Sequence, residues 1–144
     1  MTSDDDMKGG WRTVSTLDVT RYTAERHPQG VYQALLDHGV FALPRCRSCA
    51  KAHYSPRVLC PHCGSEDLVW EEASGRGALY SVTWLTPKGE DPYCVALVDL
   101  AEGPRLMTNI IGSGPDDVSI GMPVRVCIGD SAEGKVPFFE TAGT

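Results

Sequence analysis

The sequence has no long apolar run: nothing in its 144 residues approaches the roughly 20 apolar residues that a helix needs to cross a bilayer. The opening MTSDDDMKGG is acidic and has no apolar core, so it does not read as a secretory signal. The expectation is a soluble, cytoplasmic chain in which disulfides would be out of place. Catalytic motifs are missing as well, with no G-x-S-x-G, no P-loop lysine and no H-E-x-x-H. Gly75-Arg76-Gly77 is a lone G-x-G with no helix after it, and reads as a turn. The four histidines, His27, His38, His53 and His62, all precede the C-terminal half, and the last two read as structural. Asp116-Asp117 and Glu71-Glu72 are neighbouring carboxylates of the kind that usually face solvent rather than converge. No catalytic residue is assigned.

Positive charge is also scarce. The formal net charge is -6, and residues 64–144 carry five basic against thirteen acidic side chains. That is too little to neutralise the many phosphates of a nucleic acid. Residues 45–63 reverse the balance, with Arg45, Arg47, Lys51 and Arg57 and no acid. Such a patch suits a few phosphates of a small ligand or an acidic partner surface. The alternative is that these residues only offset negative cysteine thiolates of the same stretch.

Cysteine is what is present in pattern. Cys46 and Cys49 form one C-x2-C pair, and Cys60 and Cys63 form another ten residues later. A two-residue gap lets both thiolates of a tight turn face one ion, and two such turns supply a tetrahedron of sulfur. Pro61 and Gly64 suit those turns, one fixing φ and the other permitting φ > 0. The pattern predicts a zinc ribbon with one structural Zn2+ on Cys46, Cys49, Cys60 and Cys63. Four thiolates leave no open position for water, so the ion would fold the segment rather than catalyse. Two disulfides, a redox pair or a four-cysteine iron site are the alternatives. Cys94 and Cys127 lie in apolar contexts and read as free buried cysteines.

Taken in order, residues 1–15 read as a disordered acidic tail and 16–44 as a helical segment. Thr20 is the expected cap of a first helix that Pro28-Gln29-Gly30 would end, and residues 31–38 form a second, closed by Gly39. Residues 40–43 lead as a short strand into the ribbon of 45–74, whose returning strand is 68–72. Residues 75–144 read as five strands at 79–85, 93–100, 105–111, 122–128 and 136–141. In the first of these Tyr80, Val82 and Trp84 are placed on one face. Short strands with frequent turns predict a small closed barrel of the five-stranded OB type, in a mainly β chain.

Together these stretches resemble the zinc-ribbon/OB-fold family of acyl-CoA-associated proteins, long catalogued as a domain of unknown function. The matching residues are RCRSC, LCPHCGSEDLVWEEASGRGALYSVTWL, PYCVALVDLAEGPRLMTNIIG and IGMPVRV, from about residue 31 onward. The resemblance implies a rubredoxin-like ribbon and a non-catalytic accessory subunit. Its partner would be a thiolase-like or lipid-transfer-type enzyme, an aldolase or thiolase, with a possible place in steroid or lipid degradation. Acyl-CoA would be bound or channelled by the complex. Arg45, Arg47, Lys51 and Arg57 are then candidates to meet CoA phosphates, with Arg76 at the hinge between modules. Trp84 and Tyr93 are candidates for an acyl groove or a partner contact, Trp84 also reading as barrel core. A nucleic-acid-binding OB module and a free-standing acyl-CoA binder are the competing readings.

Overall fold

The structure is a computed structural model, and it describes residues 12–13, 27–132 and 134–142. The first expected helix and most of the acidic tail lie outside these residues. Among the described residues a helix α1 spans Pro28–Asp37, with eight strands before and after it in sequence. Strands β1 (Arg12–Thr13), β2 (Ala42–Cys46) and β3 (Leu68–Glu72) form a three-stranded sheet in the order β1-β3-β2. Strands β4 (Arg76–Leu85), β5 (Tyr93–Leu100), β6 (Arg105–Thr108), β7 (Pro123–Ser131) and β8 (Gly134–Thr141) form a second, ordered β6-β5-β4-β7-β8.

Helix α1 starts three residues before the expected position. Pro28-Gln29-Gly30 is its first turn, not a terminator, because proline at the first helical position gives up an N–H that has no partner there anyway. His27 supplies the cap, its Nδ1 accepting the Gly30 N–H at 3.2 Å. At the other end Gly39, at φ 82°, donates to Leu36 O, and Val40 donates to Leu35 O, both at 2.8 Å. That pair of bonds is a Schellman motif, so the glycine stop holds. Val31, Tyr32, Leu35 and Leu36 are buried, which gives α1 its place on the body of this chain. Gln33 also donates to Lys135 O at 2.8 Å, fastening α1 to the β7–β8 hairpin.

The second sheet curls into a half-barrel. Ile110 makes a single parallel bridge to Phe139, and the Phe139 N–H reaches Asn109 O at 3.0 Å. This short seam takes the place of the closed barrel expected, and explains why β6 ends at Thr108 instead of 111. Strands β7 and β8 run on into a tight hairpin that pairs Ser131 with Gly134, so much of the expected loop at 129–135 is ladder.

A bulge between Leu79 and Ser81 corrects the face assignment in β4. One extra residue switches the side-chain alternation. Leu79 is buried and Val82 and Trp84 pack on the core, while Tyr80 is 48 % exposed on the other side. The core runs without a break from Tyr32, Leu36, Phe41 and Leu43 into Val98, Leu106, Val124 and Phe139. Phe41 and Phe139 meet edge-on, their centroids 6.3 Å apart. Cys94 is buried in this core as expected; Cys127 is only half-buried.

Candidate metal centre and the junction beside it

Strand β2 ends at Cys46, and the chain turns at once so that Cys46 N–H donates to Lys51 O and Ala50 N–H to Cys46 O. Ala50 takes φ 67° to complete that turn. The second turn repeats the scheme, with Gly64 N–H donating to Cys60 O at 2.8 Å. Backbone N–H groups then point at sulfur: Cys49 N–H at Cys46 Sγ (3.4 Å) and His62 N–H at Cys60 Sγ (3.3 Å). These bonds favour thiolate, and so favour a metal.

The four Sγ atoms of Cys46, Cys49, Cys60 and Cys63 all lie within 4.8 Å of one another. The closest pairs are Cys46–Cys63 at 3.6 Å and Cys49–Cys60 at 3.7 Å. A zinc–sulfur bond of about 2.3 Å in a tetrahedron requires sulfurs about 3.8 Å apart. The quartet fits a zinc ion, and its sulfurs are too far apart for disulfides, which need about 2.05 Å. All six cysteines are free. Crowding makes the bare thiols titrate together. Hydrogen bonds from the Cys49 and Ser48 backbone draw Cys46 down to about 6 against burial. The Ser65 N–H favours a Cys63 thiolate, but contact with Cys46, burial and the other sulfurs push it up to about 12.

The basic residues singled out by sequence do not converge. Arg45 forks onto Glu71, both bonds 2.7 Å, and Glu71 is buried. Glu71 therefore departs from the solvent-facing role expected of it, because β2 and β3 bring the guanidinium alongside. Arg47 pairs with Asp67 on the surface. Lys51 lines a cleft between ribbon and OB sheet, and Arg57 lines a separate groove beside α1 with Val58, Leu68 and Trp70. Arg76 is exposed at the start of β4. Trp84 is partly buried against the core, whereas Tyr93 is 46 % exposed. Asp116 and Asp117 are exposed as expected.

The SGRG and EGPRL stretches, far apart in sequence, meet at the junction. Ser74 N–H donates to Glu102 Oε2 at 2.8 Å, and Ala101 N–H to Arg76 O at 2.9 Å. Gly75 takes φ 80° and Gly77 lies against Asp99 O, where a Cβ would stand 2.6 Å away. Arg105 packs over Tyr80, 3.4 Å from the ring centroid, and bonds Asp99. Tyr80 and Glu102 were not among the residues expected to matter. Glu102 stood inside the EGPRL stretch, but its role depends on a partner 28 positions away.

A four-cysteine ribbon fused to an OB half-barrel is the class of protein that these elements define. Among the described residues the cysteine quartet is the only cluster of three or more potential metal ligands. Comparison with known proteins agrees. Residues 34–69 match the rubredoxin-like zinc ribbon domain of ChsH2, and residues 70–129 its C-terminal OB-fold domain. The chain belongs to this ChsH2 (DUF35) zinc-ribbon and OB-fold family.

It is similar to a probable enoyl-CoA hydratase alpha subunit of Thermomonospora curvata, 46 % identical over 86 residues. That match takes in 57 % of this chain and 27 % of the relative. A DUF35 domain-containing scaffold protein of Methanocaldococcus jannaschii is 36 % identical over 87 residues, 56 % of this chain and 62 % of the relative. The chain thus spans about a quarter of the first and under two thirds of the second. A solved structure described as "Ltp2-ChsH2(DUF35) aldolase" superposes with a TM-score of 0.71 at 36 % identity. There 84 % of this chain covers 99 % of the solved one. No helix among the described residues is long and apolar enough to cross a membrane.

Proposed function

We propose that this chain is a non-catalytic accessory subunit of an acyl-CoA enzyme of thiolase-like or lipid-transfer type. It docks on that enzyme and helps to hold or channel the acyl-CoA. A single zinc ion keeps the ribbon folded and takes no part in chemistry. The observation that carries the reading is the near-complete coverage of a chain from a structure whose name joins two components, Ltp2 and ChsH2(DUF35), as an aldolase. Side chains on the surface support it. Val58, Leu59, Met107 and Ile120 are between 47 and 68 % exposed, apolar side chains that a partner would cover. Tyr93 and Tyr80 add exposed aromatics of the kind that anchor interfaces.

The test is co-expression with candidate thiolase-like and lipid-transfer-type enzymes, followed by two-step purification with the tag on this chain. A stoichiometric complex is expected with one of them. If the chain purifies alone beside every candidate yet binds acyl-CoA by itself, the free-standing binder replaces this reading. Salt-sensitive retention of single-stranded nucleic acid would instead favour the nucleic-acid module.

A further inference from the structure

Buried polar atoms without a hydrogen-bond partner are rare, because each gives up water and gains nothing for it. Among the described residues four such side-chain atoms occur: the Tyr32 hydroxyl, both ring nitrogens of His53, and Glu102 Oε1. Three of the four belong to His53 and Glu102, residues that line one cleft of about 490 Å3 between the ribbon and the OB sheet. The fourth is on Tyr32, whose ring meets the cleft-lining Tyr54 edge-on at 5.6 Å. The volume is that of a small-ligand site.

Both walls are held in place. On the ribbon side His53 N–H donates to Pro44 O at 3.2 Å, and Ala52 bridges to Arg45. On the sheet side Glu102 spends Oε2 on the Ser74 N–H, and Gly103 N–H closes the β5–β6 turn onto Leu100 O. What remains open is specific. Burial, with His62 and Arg57 nearby, lowers the pKa of His53, so the ring is neutral and offers one N–H and one lone pair. Glu102 Oε1 is a carboxylate oxygen left without a donor.

We propose that this cleft binds a planar, amino-substituted nitrogen heterocycle, the amino group donating to Glu102 Oε1 and a ring nitrogen sharing a hydrogen bond with His53. Ala50, Ala52, Pro61 and Pro104 give the cleft apolar lining against which such a ring can pack. A carboxylate or phosphate could pair with Lys51 or Arg105 of the same lining, but it has no hydrogen to donate to Glu102 Oε1 and would leave that atom unmet. An aliphatic ammonium would satisfy Glu102 but leave the His53 ring lone pair or ring N–H unmet and would face Lys51. The proposal does not depend on the enzyme partner. Free nucleobases and the adenine end of coenzyme A both carry the required group.

The experiment is an NMR titration of the zinc-loaded, isotope-labelled full chain with adenine, with unsubstituted purine and with coenzyme A. Adenine is expected to shift the His53 imidazole and residues 102–105 saturably, with purine at least tenfold weaker. Glu102→Gln keeps an oxygen for Ser74 N–H but places NH2 where Oε1 stood, so it should weaken adenine at least tenfold at unchanged Tm. The adenine–purine comparison needs no variant and stands if E102Q fails to fold. Coenzyme A producing the same shifts identifies the coenzyme as a source; adenine shifts without them identify the free base. Equal binding of purine and adenine, or no shift at His53 from either adenine or coenzyme A, overturns the site. So does an ordered water bridging His53 and Glu102 that saturating adenine leaves in place. Coenzyme A shifts confined to other residues would overturn the cleft while leaving the acyl-CoA reading standing.

Discussion

Gly75→Ala separates two costs that the fold imposes at the junction. Gly75 holds φ 80° at the entry to β4, and its carbonyl accepts the Val126 N–H at 2.6 Å. A methyl group placed there would stand 2.4 Å from Val126 Cγ1 and 3.3 Å from its Cβ. The left-handed backbone costs an alanine about 1 kcal/mol. Overpacking against a side chain fixed in a paired strand costs about 1–3 kcal/mol more. The sum, about 2–4 kcal/mol, is a large share of the 5–15 kcal/mol that holds an ordinary domain. Val126→Ala removes the carbon that is struck; Val126 is half-buried, so alone it should cost only about 1 kcal/mol. In the double variant the collision with Cγ1 is gone, while the close approach to the residue 126 Cβ and the backbone strain stay. The two changes should therefore couple by about 1–2 kcal/mol in the direction of relief. Urea unfolding of the zinc-saturated chain, followed by tryptophan fluorescence and circular dichroism, measures all four corners of the cycle. A coupling within about 0.3 kcal/mol of zero would refute the steric account, whatever the size of the single effects.

Cys63→Ser, or chelation of the wild type, should abolish the one-to-one zinc content and unfold residues 45–74, seen as lost dispersion in an amide NMR spectrum. Cobalt in place of zinc should give the intense visible bands of a tetrahedral thiolate site. Zinc affinity should weaken as pH is lowered, because the metal must displace the Cys63 proton at neutral pH and, below about 6, the Cys46 proton as well. Equilibrium competition with a chromophoric chelator across pH checks that slope. Arg45→Met removes two short charged bonds from the buried Glu71 and should cost about 2–4 kcal/mol, most of it recovered in Arg45→Met/Glu71→Leu; urea melts decide. Tyr93→Ala should leave stability within about 0.5 kcal/mol, since the ring is exposed, yet weaken capture of the enzyme partner in a pull-down; Trp84→Ala should lower stability as well.

The ribbon was legible because thiolate chemistry fixes the spacing of its ligands, and Cys46, Cys49, Cys60 and Cys63 could be read without any tertiary information. The stop of α1 at Gly39 and the returning strand at Leu68–Glu72 were legible for similarly local reasons. The start of α1 was not, because Pro28 and Gly30 look like breakers until His27 is seen to cap them. Alternation in β4 misplaced Tyr80, since a period of two carries no trace of one inserted residue. Glu71 and Glu102 escaped for a different reason. Their partners, Arg45 and Ser74, lie 26 and 28 positions away, and only the folded sheet brings them together. The same distance hid the cleft.

Turnover of an acyl-CoA substrate by the isolated partner enzyme, measured while this chain is titrated in, tests the accessory-subunit account most directly. The account predicts that activity rises to a plateau at a fixed stoichiometry, and that a metal-free Cys63→Ser chain fails to support it. Full activity of the enzyme without this chain, unchanged by its addition, would contradict the account.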